Sequence, residues 1–107
     1  MAQRHQNRAP LFAALGDETR LLLVAKLCSG QSYSISQLTK GAKLTRQAVT
    51  KHLRVLEEVG IVNSVRAGRE NRFELDPKPI KEMTDYLGFV SQQWDQALSR
   101  LKALVED

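Results

Sequence analysis

A chain of 107 residues has room for one ordinary domain and not for two with separate cores; with 42% hydrophobic and 26% charged residues and only three prolines, it is neither disordered nor of low complexity. No apolar run is longer than Leu21 to Ala25, against the roughly 20 residues of a membrane-spanning helix, so neither a span nor a signal peptide is expected, and a lone Cys28 cannot form an internal disulfide, which suits a reducing, cytoplasmic compartment. The net charge of +4 is uneven: residues 41–72 hold seven bases and three acids, residues 73–107 four bases and seven acids, the layout of a central surface that meets a polyanion and a C-terminal element with another task.

Residues 1–9 are polar and read as a flexible arm, leaving 10–107 as one domain. Leu11-Phe12-Ala13-Ala14-Leu15 reads as a short apolar helix started by Pro10 and closed by Gly16. Asp17-Glu18-Thr19 supplies a cap and an acid at the start of a helix over about 18–28, and Gly30 ends it. Ser34 followed by Gln37 forms a capping box that opens a helix from about Ile35 to Ala42. After a tight turn, Thr45 caps a helix from about Arg46 to Val59, stopped by Gly60. In it Val49, Leu53 and Leu56 share one face, Gln47, Lys51 and Arg54 lie opposite, Thr50 flanks them and Arg46 projects from the first turn.

Two short helices joined by Gly41-Ala42-Lys43-Leu44, the second basic on its outer face, are the layout of a helix-turn-helix. The pattern then changes to Ile61–Arg66 and Asn71–Leu75, with Phe73 and Leu75 on one face and Arg72 and Glu74 on the other. That is a β-hairpin whose turn uses Gly68 for a positive φ and whose tip gathers Arg66, Arg69 and Arg72. The fold class is therefore mainly α: an α+β winged helix made of a helix-turn-helix and a hairpin wing. From Pro77 the chain turns helical again, to about residue 105, with Ile80, Met83, Leu87, Val90, Trp94, Ala97, Leu101 and Leu104 in a heptad seam. So long a stripe exceeds what a domain this small can cover, so part of it is expected to meet a second copy. Leu11, Leu15, Met83, Leu87, Val90, Trp94, Leu98 and Leu101 are the expected dimer contacts.

Three stretches together, residues 11–20 (LFAALGDETR), residues 44–56 (LTRQAVTKHLRVL) and Gly60-Ile61-Val62, closely resemble the arsenic-repressor (ArsR) family of bacterial winged-helix transcriptional repressors, over residues 10–104 in order. The resemblance implies that the first and last helices form the dimer interface and that the fourth enters the major groove, with Arg46, Gln47, Thr50 and Lys51 at its DNA-contacting positions. The family's metal sensors carry a cysteine pair on the third helix and His and acidic ligands on the last. Here the third helix reads Ser34-Ile35-Ser36-Gln37-Leu38 and the last contains no His. His5, His52 and Cys28 have no ligand spacing, so the chain resembles the metal-independent members; no metal, cofactor or particular inducer is implied.

Arg46 and Gln47 carry the chemistry for guanine and adenine edges, and Thr45, Thr50, Lys51 and Arg54 suit phosphates or flanking edges. Ser36 offers a hydroxyl to a phosphate. Arg66, Arg69 and Arg72 suit phosphate or the minor groove, though Arg72 could instead pair with Glu70 or Glu74. His52, beside the recognition face, fits packing as well as a phosphate contact. Cys28 reads as a small buried hydrophobe, and Asp85 and Asp95 as the solvated face of the last helix. No nucleophile with its base, phosphate-cradling loop or metal set is present, so an enzyme is not expected. The expectation is a cytoplasmic, nucleoid-associated homodimer that binds double-stranded DNA as a repressor; the alternative is a winged-helix protein-interaction module with an incidental basic face.

Overall fold

The computed structural model describes the backbone of residues 2–106 and the side chains of residues 8–106. Among these, the elements run α1 (Ala2–Leu15), α2 (Glu18–Leu27), β1 (Tyr33–Ser34), α3 (Ile35–Thr39), α4 (Arg46–Glu58), β2 (Val62–Ala67), β3 (Glu70–Leu75) and α5 (Pro77–Glu106). This is a mostly helical winged helix with a small antiparallel sheet in the order β1-β3-β2.

The starts of α2, α3 and α4 each have a visible chemical cause. Asp17 Oδ2 accepts from Arg20 N at 3.0 Å, and Thr45 Oγ1 accepts from Ala48 N at 3.1 Å, each satisfying an amide that the helix leaves without a partner. At α3 the capping box is complete: Ser34 Oγ accepts from Gln37 N at 3.2 Å while Gln37 Oε1 accepts from Ser34 N at 2.9 Å. The end of α4 is equally definite. Gly60, at φ +84°, donates to Glu57 O, and Ile61 N donates to Leu56 O, both at 3.0 Å; this Schellman pairing turns the chain so that Ile61 enters the core. In the wing, Ala67 faces Glu70 across Gly68 and Arg69, with Gly68 at φ +65°. A positive φ at the first central residue alone is the type II′ geometry, whose twist matches the strands.

The core lies between α2, α3, α4 and the sheet, with Leu27, Leu38, Val49, Leu53, Leu56, Ile61 and Val62 shut off from solvent. Phe73 of β3 and Met83 of α5 close it from the other side. The first turns of α5 are tied to α1, where the rings of Phe12 and Tyr86 meet at 5.8 Å and the Arg8 guanidinium lies 5.1 Å from the Tyr86 ring centre.

Several sequence expectations shift. The segment read as an arm forms the first turns of α1, with Pro10 inside the helix, and α3 ends at Thr39 rather than Ala42 because Lys40 leaves helical geometry at ψ 127°. Strand β1 is an addition: Tyr33 pairs with Phe73 and Ser34 with Arg72. Cys28 is exposed rather than buried, since it caps α2 and Leu27 takes the inward position. Leu11 and Met83, expected at a dimer contact, belong to the chain's own core. The apolar seam is thus divided: its N-terminal part packs against α1 and contributes Met83 to the core, and its later part is exposed.

Candidate nucleic-acid interface

Helix α4 buries Val49, Leu53 and Leu56 and so must turn the opposite face outward, where Arg46, Gln47, Lys51 and Arg54 are all exposed. Thr50 is half-buried and its hydroxyl donates to Arg46 O at 2.7 Å, while the Thr45 hydroxyl is engaged as the cap. The Thr45 hydroxyl, which only accepts in the cap, keeps its own proton free to donate, whereas the Thr50 hydroxyl has given its proton to Arg46 O and can only accept further. Arg46 Nη1 donates to Ser36 Oγ at 2.7 Å, so Ser36 and Arg46, expected separately from the sequence, are brought together at the meeting of α3 and α4.

The wing flanks this face. Ser34, Ile35, Ser36 and Arg46 form one wall of a polar cleft of about 230 Å³ and Arg69, Glu70 and Asn71 of the wing form the other. Arg66 and Arg69 are exposed, with Arg66 Nε directed at Gly68 O at 3.4 Å. Arg72 behaves differently. Its Nη1 donates to Glu70 Oε2 at 3.2 Å, Nε to Ser32 Oγ at 3.0 Å, and Nη2 both to Ser32 O at 2.8 Å and to Gln37 Oε1 at 3.2 Å. The pairing with Glu70 matches one alternative read from the sequence; the ties to Ser32 and Gln37 do not follow from any local pattern. A guanidinium so fully engaged is not aimed at a phosphate, which sets Arg72 apart from its two neighbours in the wing.

Behind α4, His52 is half-buried against the start of α2. Its Nδ1 lies 3.3 Å from Arg20 Nη1 and 3.7 Å from Asp17 Oδ2. Because a guanidinium only donates, Nδ1 acts as the acceptor toward Arg20 in the neutral ring. The hydrogen bond from the Arg20 amide holds the Asp17 carboxyl below its ordinary range, opposed by desolvation and reinforced by the charge of the Arg20 guanidinium. His52 therefore joins α4 to α2, the packing role rather than the phosphate one.

Beyond the core, α5 leaves Leu87, Phe89, Val90, Trp94, Leu98 and Leu101 exposed, Trp94 at 64% and Leu101 at 57%. Leu15 on α1 is half-buried. Lys81 and Asp85 pair at 3.1 Å on the solvated side of α5. Among the described residues no three His, Cys, Asp or Glu side chains gather as a metal site requires; His5 lies outside the described side chains. Among the described residues no helix is long and apolar enough to cross a membrane.

Comparison with known proteins decides which family carries this arrangement. The family pattern for "Bacterial regulatory protein, arsR family" matches residues 17–64, from the cap of α2 into β2. The chain is 35% identical over 83 residues to the uncharacterized HTH-type transcriptional regulator YuzN of Bacillus subtilis, covering 72% of this chain and 90% of that protein. The chain belongs to the arsR family. A second family relative, the HTH-type transcriptional regulator Rv2034 of Mycobacterium tuberculosis, is 31% identical over 96 residues, covering 89% of this chain and 85% of the other. Among solved structures, an ArsR-like transcriptional regulator from Rhodococcus sp. RHA1 superposes with a TM-score of 0.79 at 34% identity, over 94% of this chain and 93% of that one. These relatives are named as regulators and not as enzymes. This arsR-family protein is accordingly a DNA-binding transcriptional regulator with a winged-helix fold.

Proposed function

We propose that this arsR-family regulator is a cytoplasmic homodimeric repressor that sets two copies of α4 into successive major grooves of a pseudo-palindromic operator and so occludes RNA polymerase. The observation that carries this reading is the polar cleft that Arg46 of α4 lines together with Arg69 of the wing, with Gln47 exposed on α4 and Arg66 exposed on the wing. Arg46 and Gln47 read base edges, and Lys51 and Arg54, with the hydroxyls of Ser36, Thr45 and Thr50, take phosphates and flanking edges. Arg66 and Arg69 neutralise phosphates beside the groove. Leu15 and the exposed residues Leu87, Val90, Trp94, Leu98 and Leu101 join the two copies.

Selection of duplexes from a random pool with the purified protein, followed by anisotropy titrations at two salt concentrations, tests the proposal. The expected result is an inverted repeat with half-sites about one helical turn or somewhat more apart, bound far more tightly than random DNA and with a shallower dependence on salt. Weak binding of equal strength to selected and random duplexes overturns it, and leaves the winged helix as a protein-interaction module whose basic face is incidental.

A further inference from the structure

The wing is held to the helix-turn-helix by little backbone. Strand β1 contributes only Tyr33 and Ser34, paired with Phe73 and Arg72 of β3, and the hairpin beyond that register reaches out to Arg69 with its outer residues exposed. The base of the hairpin is anchored by Val62 and Phe73 in the core and by Ser64 Oγ, which donates to Glu57 Oε2 of α4 at 2.6 Å; on the α3 side these two paired residues are the backbone contact that fixes where β3 passes. The Arg72 side chain adds a directional constraint on that side. Its fork reaches from β3 to Ser32, ahead of β1, through both the Ser32 hydroxyl at 3.0 Å and the Ser32 carbonyl at 2.8 Å. It also reaches Gln37 Oε1 at 3.2 Å, the same oxygen that accepts from Ser34 N in the capping box of α3. One planar group with donors in fixed directions thus locks the wing strand, the approach to α3 and the α3 cap into one piece.

We propose that Arg72 is a positioning residue, whose guanidinium, held by Ser32 and Gln37, sets the wing's angle against α3 and α4 and so places Arg69 on the phosphate opposite Arg46. The inference rests on the DNA-binding reading above and adds to it a division of labour among the wing arginines. Arg69 and Arg46 stand on opposite walls of the same cleft; Arg72 fixes how far apart those walls are. Lysine cannot replace it, because an ammonium keeps the charge but cannot reach three acceptors in one plane.

The test is a double-mutant cycle of Arg72→Lys and Arg69→Gln, read as affinity for the selected duplex across a salt series, with melting temperature measured alongside. Arg69→Gln is expected to lower the slope of log affinity against log salt by about one. Arg72→Lys is expected to weaken binding about tenfold, as loss of a coupled contact of this kind does, and, because the Arg69 contact goes with it, to lower that slope by up to about one although the charge at position 72 is kept. In the Arg69→Gln background Arg72→Lys is expected to cost nothing further, because the contact it positions is already gone. Should Arg72→Lys fold poorly, Ser32→Ala removes one acceptor without changing any charge, and is expected to weaken binding while Arg69 is in place and not in the Arg69→Gln background. Additive losses in the cycle, or full retention of affinity by Arg72→Lys, overturn the positioning role; the second marks a direct phosphate contact. If the wild type selects no duplex at all, the DNA-binding reading fails first and the role of Arg72 falls with it.

Discussion

Arg46 and Gln47 differ from Arg69 in what their removal is expected to do, because a base edge carries sequence information and a phosphate does not. Arg46→Ala and Gln47→Ala are each expected to cost about 1–3 kcal/mol on the selected duplex and little on random DNA, relaxing the preferred sequence at one position. Arg69→Ala is expected to weaken both duplexes alike and to lower the salt slope. Anisotropy on matched selected and random duplexes separates the two patterns, and equal losses from all three substitutions overturn the assignment. Asp17 carries a different expectation. Its carboxyl ionises more readily in the folded chain than the ordinary value of 3.8, so it contributes stability that is fully present above that value and is lost as pH falls through the lower folded one. Asp17→Asn keeps a capping side chain and removes the charge; the gap in melting temperature between wild type and variant is expected at neutral pH and to close on acidification below 3.8. A gap that persists at the lowest pH would place the effect in packing instead. Which of these residues is readable from the sequence follows from the range of their partners. The outer face of α4 is set by the spacing of Val49, Leu53 and Leu56, so Gln47, Lys51 and Arg54 are legible on a helical wheel. The environment of Arg72 is not, because its partners Ser32 and Gln37 lie 40 and 35 residues away in the chain. His52 is the same case: its orientation depends on Asp17 and Arg20, on a helix that periodicity alone does not place beside α4.

At the scale of elements, the starts of α2, α3 and α4 are legible because a cap is a local device: Asp17, Ser34 and Thr45 each satisfy an amide three residues on. The hairpin is legible from Gly68 and the alternation around Phe73. Strand β1 is not, since two residues cannot show a period of two, and it exists only because β3 is beside it. Core or interface is likewise open from sequence for the α5 seam, because spacing shows which residues share a face and not what covers them. Met83 and Trp94 fall on one stripe, yet one is buried and the other exposed. The cap of α4 carries a separate expectation, since it holds the first turn from which Arg46 and Gln47 project. Thr45→Ala is expected to cost about 1 kcal/mol of folding stability, lowering the denaturation midpoint, and to weaken DNA binding beyond that through fraying of the first turn. Unchanged affinity at saturating folded fraction would show that the first turn forms on DNA without its cap.

The whole molecule is more extended than a compact chain of its length. Its radius of gyration is 18.2 Å, with extents of 67 × 32 × 20 Å, against about 13 Å for a compact domain of this size. Its accessible surface is 7939 Å², where a folded monomer of 12.1 kDa exposes about 6,000 Å². Helix α5 contributes to this excess. Helix α5 has 30 residues and spans about 45 Å, and past Tyr86 it carries Leu87, Val90, Trp94, Leu98 and Leu101 into solvent. An excess of about 1,900 Å² on one chain is comparable to what one partner contributes to a large homodimer interface, and a contiguous exposed apolar stripe is the general mark of an interaction surface, which is what the proposed dimer uses. Because the core is closed by residues no later than Met83, a charge placed beyond it acts on association and not on folding. Trp94→Asp with Leu101→Asp is therefore expected to give a folded monomer near 12.1 kDa by sedimentation, where the wild type sediments at twice that mass. The monomer keeps α4 and the wing, so it is expected to retain the weak, salt-dependent binding of a single half-site. It should lose the tight binding of the inverted repeat, since two half-sites on separate chains no longer share one effective concentration. A variant that stays dimeric moves the interface off α5; a monomer that still binds the full repeat at wild-type affinity removes the need for two linked copies of α4.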